Sequence, residues 1–113
     1  MNNEKTLVFV SIPVNDGENK ELTERRLQMA KAGYLQQAAK NIKDVAFVHR
    51  RFGDDTTQLS KDTNAAAVYL AEAIDQIAKC DLVYFSKGWK NNTACMIEMI
   101  VCLSYEIQHM EEV

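Results

Sequence analysis

The sequence is short of the residues that mark several protein classes. Its 113 residues hold three cysteines, two histidines, one proline and one tryptophan. Three cysteines, Cys80, Cys95 and Cys102, cannot form a disulfide framework of the kind that staples small secreted domains. Their spacing, with only His49 and His109 to help, is not that of a zinc site, so no metal and no cofactor are expected. Long hydrophobic runs are missing too. None approaches the roughly 18 residues that a membrane span requires, so no membrane partner is expected. There is no basic run and no Lys/Arg stripe interleaved with aromatics, and the formal net charge is -3. Nucleic acid is therefore not the expected partner. The N-terminal stretch MNNEKTLVFVSIPV has too short an apolar segment for a signal peptide, which predicts a cytoplasmic chain. No internal repeat, linker or low-complexity segment interrupts it.

What is present is an ordinary globular balance, 47% hydrophobic and 26% charged, over a length that suits one domain spanning residues 1–113. Leu7 to Ile12 is a continuous apolar run of strand length, the pattern of a strand buried on both faces. Pro13 to Gly17 has loop composition. Leu22, Met29, Ala32, Leu35 and Ala39 recur at helical spacing, predicting a helix from about Glu18 to Lys40. Gly33 inside it costs about 1 kcal/mol relative to Ala, which close packing against a strand would justify. Val45 to His49 reads as a second strand. Arg50 to Asp62 is a polar stretch longer than most connections, and such loops tend to bind ligands or partners. Thr63 to Lys79 reads as a helix, Asp81 to Ser86 as a third strand, and Thr93 to about Met110 as a last helix with N-cap chemistry at Asn91, Asn92 and Thr93.

This β-α-β-α-β-α alternation predicts a three-layer α/β fold with a parallel sheet. Three strands in the order 2-1-3 would form a flavodoxin-like, Rossmann-like core. Ligands of such sheets bind beyond the carboxyl ends of the strands. The segments expected there are Ser11 to Gly17, the stretch from Arg50, and Ser86 to Thr93.

The last helix sets a puzzle. From Thr93 to Tyr105 its only charge is Glu98. The residues three and four positions away, Ala94, Cys95, Val101 and Cys102, cannot pair with a carboxylate. Two readings follow. Glu98 is a functional carboxylate near the ligand edge, or it is structural, either buried and satisfied by an arginine from elsewhere in the chain or peeking out at an edge.

The segment from Tyr69 to Glu98, with Cys80-Asp81, the apolar strand Leu82 to Phe85, Gly88-Trp89 and Glu98, resembles the nucleoside 2-deoxyribosyltransferase-like superfamily. It is most similar to the small bacterial and phage branch known as DUF4406-like. The opening strand followed by Ser11-Ile12-Pro13 also looks like the first strand and ligand loop of that family. The resemblance implies a nucleoside or nucleotide as partner and an enzyme acting on N-glycosidic bonds, either a 2-deoxyribosyltransferase or an N-hydrolase. Glu98 would be the nucleophile that attacks C1′ of the sugar, an oxocarbenium-like centre that a carboxylate both stabilises and bonds. Where active members carry an Asp eight residues before the position of Asp81, this chain has Ala73, with Glu72 and Asp75 nearby. Met96 stands where the small branch often has Arg. The alternatives are a catalytically weak or silent nucleotide-binding module of the same fold, and an interaction scaffold that meets a protein through the polar loop from Arg50 to Asp62.

The substrate-binding set on this reading is Ser11, Pro13, Arg50, Gly88, Trp89 and Asn92. Ser11 offers a hydroxyl beside backbone amides. Trp89 is either a stacking platform for a base or a cap on the core or on an oligomer contact. Arg50 and Arg51 leave the second strand at the ligand edge and are anion candidates. Arg25 and Arg26 could reach a phosphate, but a solvated helix face is the simpler reading for them. Asp81 is expected to be structural. The last helix is apolar nearly all round between Ala94 and Leu103. It needs more cover than this sheet offers, which predicts a homo-oligomer with the helix at a subunit contact.

Overall fold

The computed structural model describes residues 5–15, 18–52 and 64–113. Asp16, Gly17 and most of the polar stretch between Arg50 and Asp62 lie outside the described residues. The elements are β1 (Thr6–Ser11), α1 (Lys20–Gln37), β2 (Val45–His49), α2 (Ala65–Ile77), β3 (Leu82–Phe85), α3 (Thr93–Ser104) and β4 (His109–Glu111). Short 3-10 turns occupy Ile42–Asp44 and Trp89–Asn91. An asparagine starts each helix. The side chains of Asn19, Asn64 and Asn92 accept the backbone N–H of Glu21, Ala67 and Cys95, satisfying donors that the first helical turn leaves unpaired.

The fold is α/β with a parallel sheet. Among the described residues it has four strands in the order β2-β1-β3-β4, all pairs parallel, where three strands were expected. Val8, Val10 and Ile12 from the first strand and its exit, with Leu82 and Tyr84 from β3, face Leu27, Ala30 and Tyr34 of α1. On the opposite face Phe9, Val83 and Phe85 meet Ala73 and Ile77 of α2 and Met99 and Cys102 of α3. Side chains alternate across a strand, so the uninterrupted apolar runs of β1 and β3 feed two cores at once. Gly33 earns its place as expected. A Cβ there would stand 3.2 Å from the Tyr84 hydroxyl, so the missing methyl lets α1 lie close to β3.

The fourth strand corrects the expected extent of the last helix, which stops at Ser104 rather than near Met110. Tyr105 caps it, and Glu106 turns into the left-handed region at φ 55°. The Ile107 N–H then returns to the Cys102 carbonyl at 2.9 Å, closing a Schellman-type end. The same device ends α1, with Ala39 at φ 53° and the Lys40 N–H on the Leu35 carbonyl at 2.9 Å. Neither left-handed position is glycine, so the usual stop signal is absent from the sequence. Ile107 and Met110 continue the helical spacing of α3, yet pairing beside β3 overrides it. His109, Met110 and Glu111 sit opposite Val83, Tyr84 and Phe85. Among the described residues no helix is long and apolar enough to cross a membrane.

Candidate functional site

The carboxyl edge of the sheet gathers the exits of β1, β2 and β3, and Glu98 lies among them. It occupies the second turn of α3, and alternation along β1 turns Ser11 toward it, away from the face that Val10 and Ile12 supply. Glu98 has no exposed surface. The Ser11 hydroxyl donates to its Oε1 at 2.6 Å, and Arg50 Nη1 donates to its Oε2 at 2.7 Å. Arg50 is itself buried, and its Nη2 donates to the Ile12 carbonyl at 2.7 Å. This is the second reading of Glu98 in the sequence: a buried carboxylate answered by an arginine 48 residues away. Burial works against the charge of the Arg50 guanidinium, but Glu98 outweighs that and holds its pKa above the ordinary arginine value. The Cys95 thiol lies in the same cluster. Burial pushes its pKa up, while Ser11 and Arg50 pull the other way without reversing the shift, so it stays protonated and unreactive at neutral pH.

Around this cluster the loops are knitted together. Asn92 donates from Nδ2 to the Val14 carbonyl at 3.1 Å while its Oδ1 caps α3. Gly88 adopts φ 90°, a left-handed turn that favours glycine, with Pro13 beside it. Ser11, Pro13, Arg50, Gly88, Asn92 and Glu98 are thus neighbours at one edge. Trp89 departs from the group. Its ring packs on Phe85 at 5.5 Å, its indole N–H reaches Glu111 Oε1 at 3.1 Å, and Lys90 lies over it. That is the core-capping alternative of the two open for Trp89.

The candidates for a second carboxylate are engaged elsewhere. Ala73 is fully buried in the core under α2. Glu72 pairs with Arg51 at 2.6 Å and Asp75 with Lys79 at 2.9 Å, both on the outer surface of α2. Met96 is 44% exposed and stands two residues, about 200° around α3, from the buried Glu98. The role that an arginine would play at that position, holding the glutamate, falls to Arg50. Asp81 has a structural part, accepting the Leu7 N–H at 2.8 Å where β1 and β3 begin.

The other face of the same edge holds a cavity of about 320 Å³ between α1, the β3 exit and the segment after β4. Arg25, Arg26, Ser86, Lys87 and Glu112 line its polar side, and Leu22, Met29 and Ala30 its apolar side. Arg26 is not simply solvated. It donates to the Pro13 carbonyl at 2.6 Å and pairs with Glu18 at 2.9 Å. The Thr23 hydroxyl, at 2.6 Å, and Arg26 together hold the Glu18 carboxyl below the usual range against a smaller effect of burial. Ser86 went unsingled in the sequence. The signal for it was the period of two along β3, which puts Ser86 on the side of Leu82 and Tyr84.

No family model matches the chain, and no curated protein or solved structure matches it.

Proposed function

We propose that this chain is a nucleotide-binding module on a flavodoxin-like sheet, with Glu98 as the structural anchor of its ligand edge. The observation that carries this reading is the saturation of Glu98, which is fully buried with one donor on each oxygen. A glycosidic nucleophile must come within about 3–3.5 Å of the anomeric carbon. For Glu98 that demands displacement of Arg50 and opening of the packing around α3. The likeness of residues 69–98 to the deoxyribosyltransferase-like superfamily supports the ligand class, and the carboxyl edge of a parallel sheet supports its place.

The same likeness supports the enzyme reading, in which Arg50 swings away and Glu98 attacks C1′. The two readings separate in one experiment. Nucleosides and their 5′-monophosphates are incubated with the wild-type chain and with Glu98→Gln, each with and without a second base, and free base is followed by chromatography. The expected result is ligand-induced thermal stabilisation without base release. Release that Glu98→Gln abolishes establishes the enzyme. Neither release nor stabilisation leaves the scaffold reading.

A homo-oligomer through α3 belongs to the same proposal. Met96, Ile100 and Leu103 form a stripe at helical spacing and are 44%, 57% and 62% exposed. A second copy would cover it. Sedimentation should find an oligomer that Ile100→Glu dissociates, and a monomeric wild type removes this part of the reading.

A further inference from the structure

We infer that the α1 side of the strand ends is a docking site for an acidic segment of a partner protein, which seats an apolar side chain in the cavity and meets Arg25 and Lys87 at its rim. The cavity of about 320 Å³ has an apolar wall that water reaches, with Leu22 46% and Met29 69% exposed. These two lie about two turns apart along one side of α1. Large apolar side chains open to water beside a cavity mark an interaction surface, which a single exposed one does not. The walls are also built in advance. The Glu112 N–H donates to the Phe85 carbonyl at 2.8 Å and Gln37 Nε2 to the Glu111 carbonyl at 2.9 Å, which ties the segment after β4 to β3 and to α1. Arg26 is fixed to the Pro13 carbonyl and to Glu18. A surface already shaped loses little freedom when a partner settles on it.

Charge selects the occupant. Glu18 compensates Arg26, which leaves Arg25 and Lys87 against Glu112 in the lining. Among the described residues Arg25 and the Lys87 ammonium group make no ion pair. The patch is therefore positive on a chain whose formal net charge is -3. A second copy docked here about a two-fold axis would set these cations against their own counterparts, and like charges face to face oppose the contact. The uncharged stripe on α3 has no such bar. A small metabolite fits poorly too, because such sites orient their ligands with a few fixed polar groups. Here the Ser86 hydroxyl is sealed from the cavity, and Arg25 and Lys87 stand exposed on long stems. Methionine and arginine are side chains that adapt to a protein surface. An acidic segment with a large apolar residue answers both halves of the patch. Its apolar side chain packs on Leu22 and Met29, and its carboxylates meet Arg25 and Lys87.

The docking site lies apart from the Glu98 cluster and does not depend on what binds there. The test selects peptides from a random library displayed on phage against the whole chain. The selected peptides are then synthesised with a fluorescent label and titrated by polarisation. The expected result is convergence on sequences that set aspartate or glutamate beside a large apolar residue, with binding that weakens as salt is added. Affinity should fall about tenfold or more in each of Arg25→Glu, Lys87→Glu and Met29→Glu and stay unchanged in Arg51→Gln, on the α2 side. Amide NMR should place the bound peptide at Leu22, Met29 and Lys87. No convergent sequence, a basic or uncharged one, or an affinity that the three charge variants leave intact overturns the site. A nucleoside 5′-monophosphate that moves the same amides when no peptide is selected makes the cavity a metabolite site and overturns the partner. An oligomer that Met29→Glu dissociates in sedimentation gives the patch to a second copy and overturns the partner as well.

Discussion

On the α3 face of the sheet edge, Glu98 is buried with a hydroxyl on one oxygen and a guanidinium on the other. On the α1 face, Ser86 is buried nearly as deeply, and among the described residues its hydroxyl has no hydrogen-bond partner. Ser86 leaves β3, Glu98 lies in the helix that follows it, and the two differ in what surrounds them. The charged one is fully compensated inside the chain. The neutral one is shut away from solvent without a partner among the described residues. A saturated cluster has little left to offer a ligand and holds the fold together. An unpaired buried hydroxyl instead costs stability. The residue that looks most chemical in the sequence is thus paired within the fold, and a plain serine is the buried group left unpaired.

The largest test of this contrast removes Arg50. Arg50→Met leaves the Glu98 carboxylate buried without its cation, and the expected loss is about 3–5 kcal/mol in urea unfolding. The double variant Arg50→Met with Glu98→Met should recover most of it, because apolar replacement of a buried pair is often neutral or better. Recovery failing in the double variant would mean that the pair does more than compensate itself.

A second test uses alkaline pH to set the two faces against each other. On the α3 face burial, with Glu98 nearby, pushes the Cys102 thiol from 9.0 to about 11. On the α1 face burial, with Glu112, pushes the Tyr84 phenol from 10.0 to about 12. Both groups hold their protons more tightly folded than unfolded, so their contribution is complete below the unfolded values and is lost as pH rises toward the folded ones. Stability should begin to fall near pH 9 and fall faster above pH 10, by on the order of 2 kcal/mol per group across its window. Burial also pushes the Cys80 thiol from 9.0 to about 11 and raises Cys95, so Cys102→Ala should shrink the earlier part of the decline without abolishing it and leave the later part in place. A flat urea midpoint between pH 8 and pH 10.5 would contradict this.

Ser86→Ala gives a smaller and opposite effect. Deleting an unpaired buried hydroxyl should stabilise the unliganded chain by about 1 kcal/mol. Loss of stability instead would show that the hydroxyl already has a partner, and the contrast between the faces would weaken.

The smallest test concerns the end of α3. Glu106→Gly relieves a left-handed non-glycine residue and should stabilise by about 0.5–1 kcal/mol, read in thermal unfolding. A loss would place a necessary contact on the Glu106 side chain.

Much of the architecture was legible because it depends on local pattern. The apolar runs of β1 and β3, the spacing in α1 and α2, and the asparagine caps are statements about neighbours in sequence. β4 was hidden for the same reason. His109, Met110 and Glu111 carry a weak strand signal, and the stop before them is made by a glutamate in a left-handed turn instead of a glycine. Glu98 was visible as an anomaly, and the structural reading of it was open from the start. Which of its two readings applies depended on Arg50, and no spacing rule joins positions 48 apart. Trp89 was equally undecided until Phe85 and Glu111 claimed it.

Periodicity and caps in the sequence by themselves determined a parallel α/β sheet with helices after each of its first three strands. They also placed a lone carboxylate close to the strand ends. Only the tertiary structure decided that Arg50 meets Glu98, that a fourth strand borders β3, and that the Ser86 hydroxyl is buried without a partner among the described residues. The reason is physical. Local propensities act through adjacent residues, whereas the satisfaction of a buried polar group is settled by whatever the fold brings within about 3 Å of it.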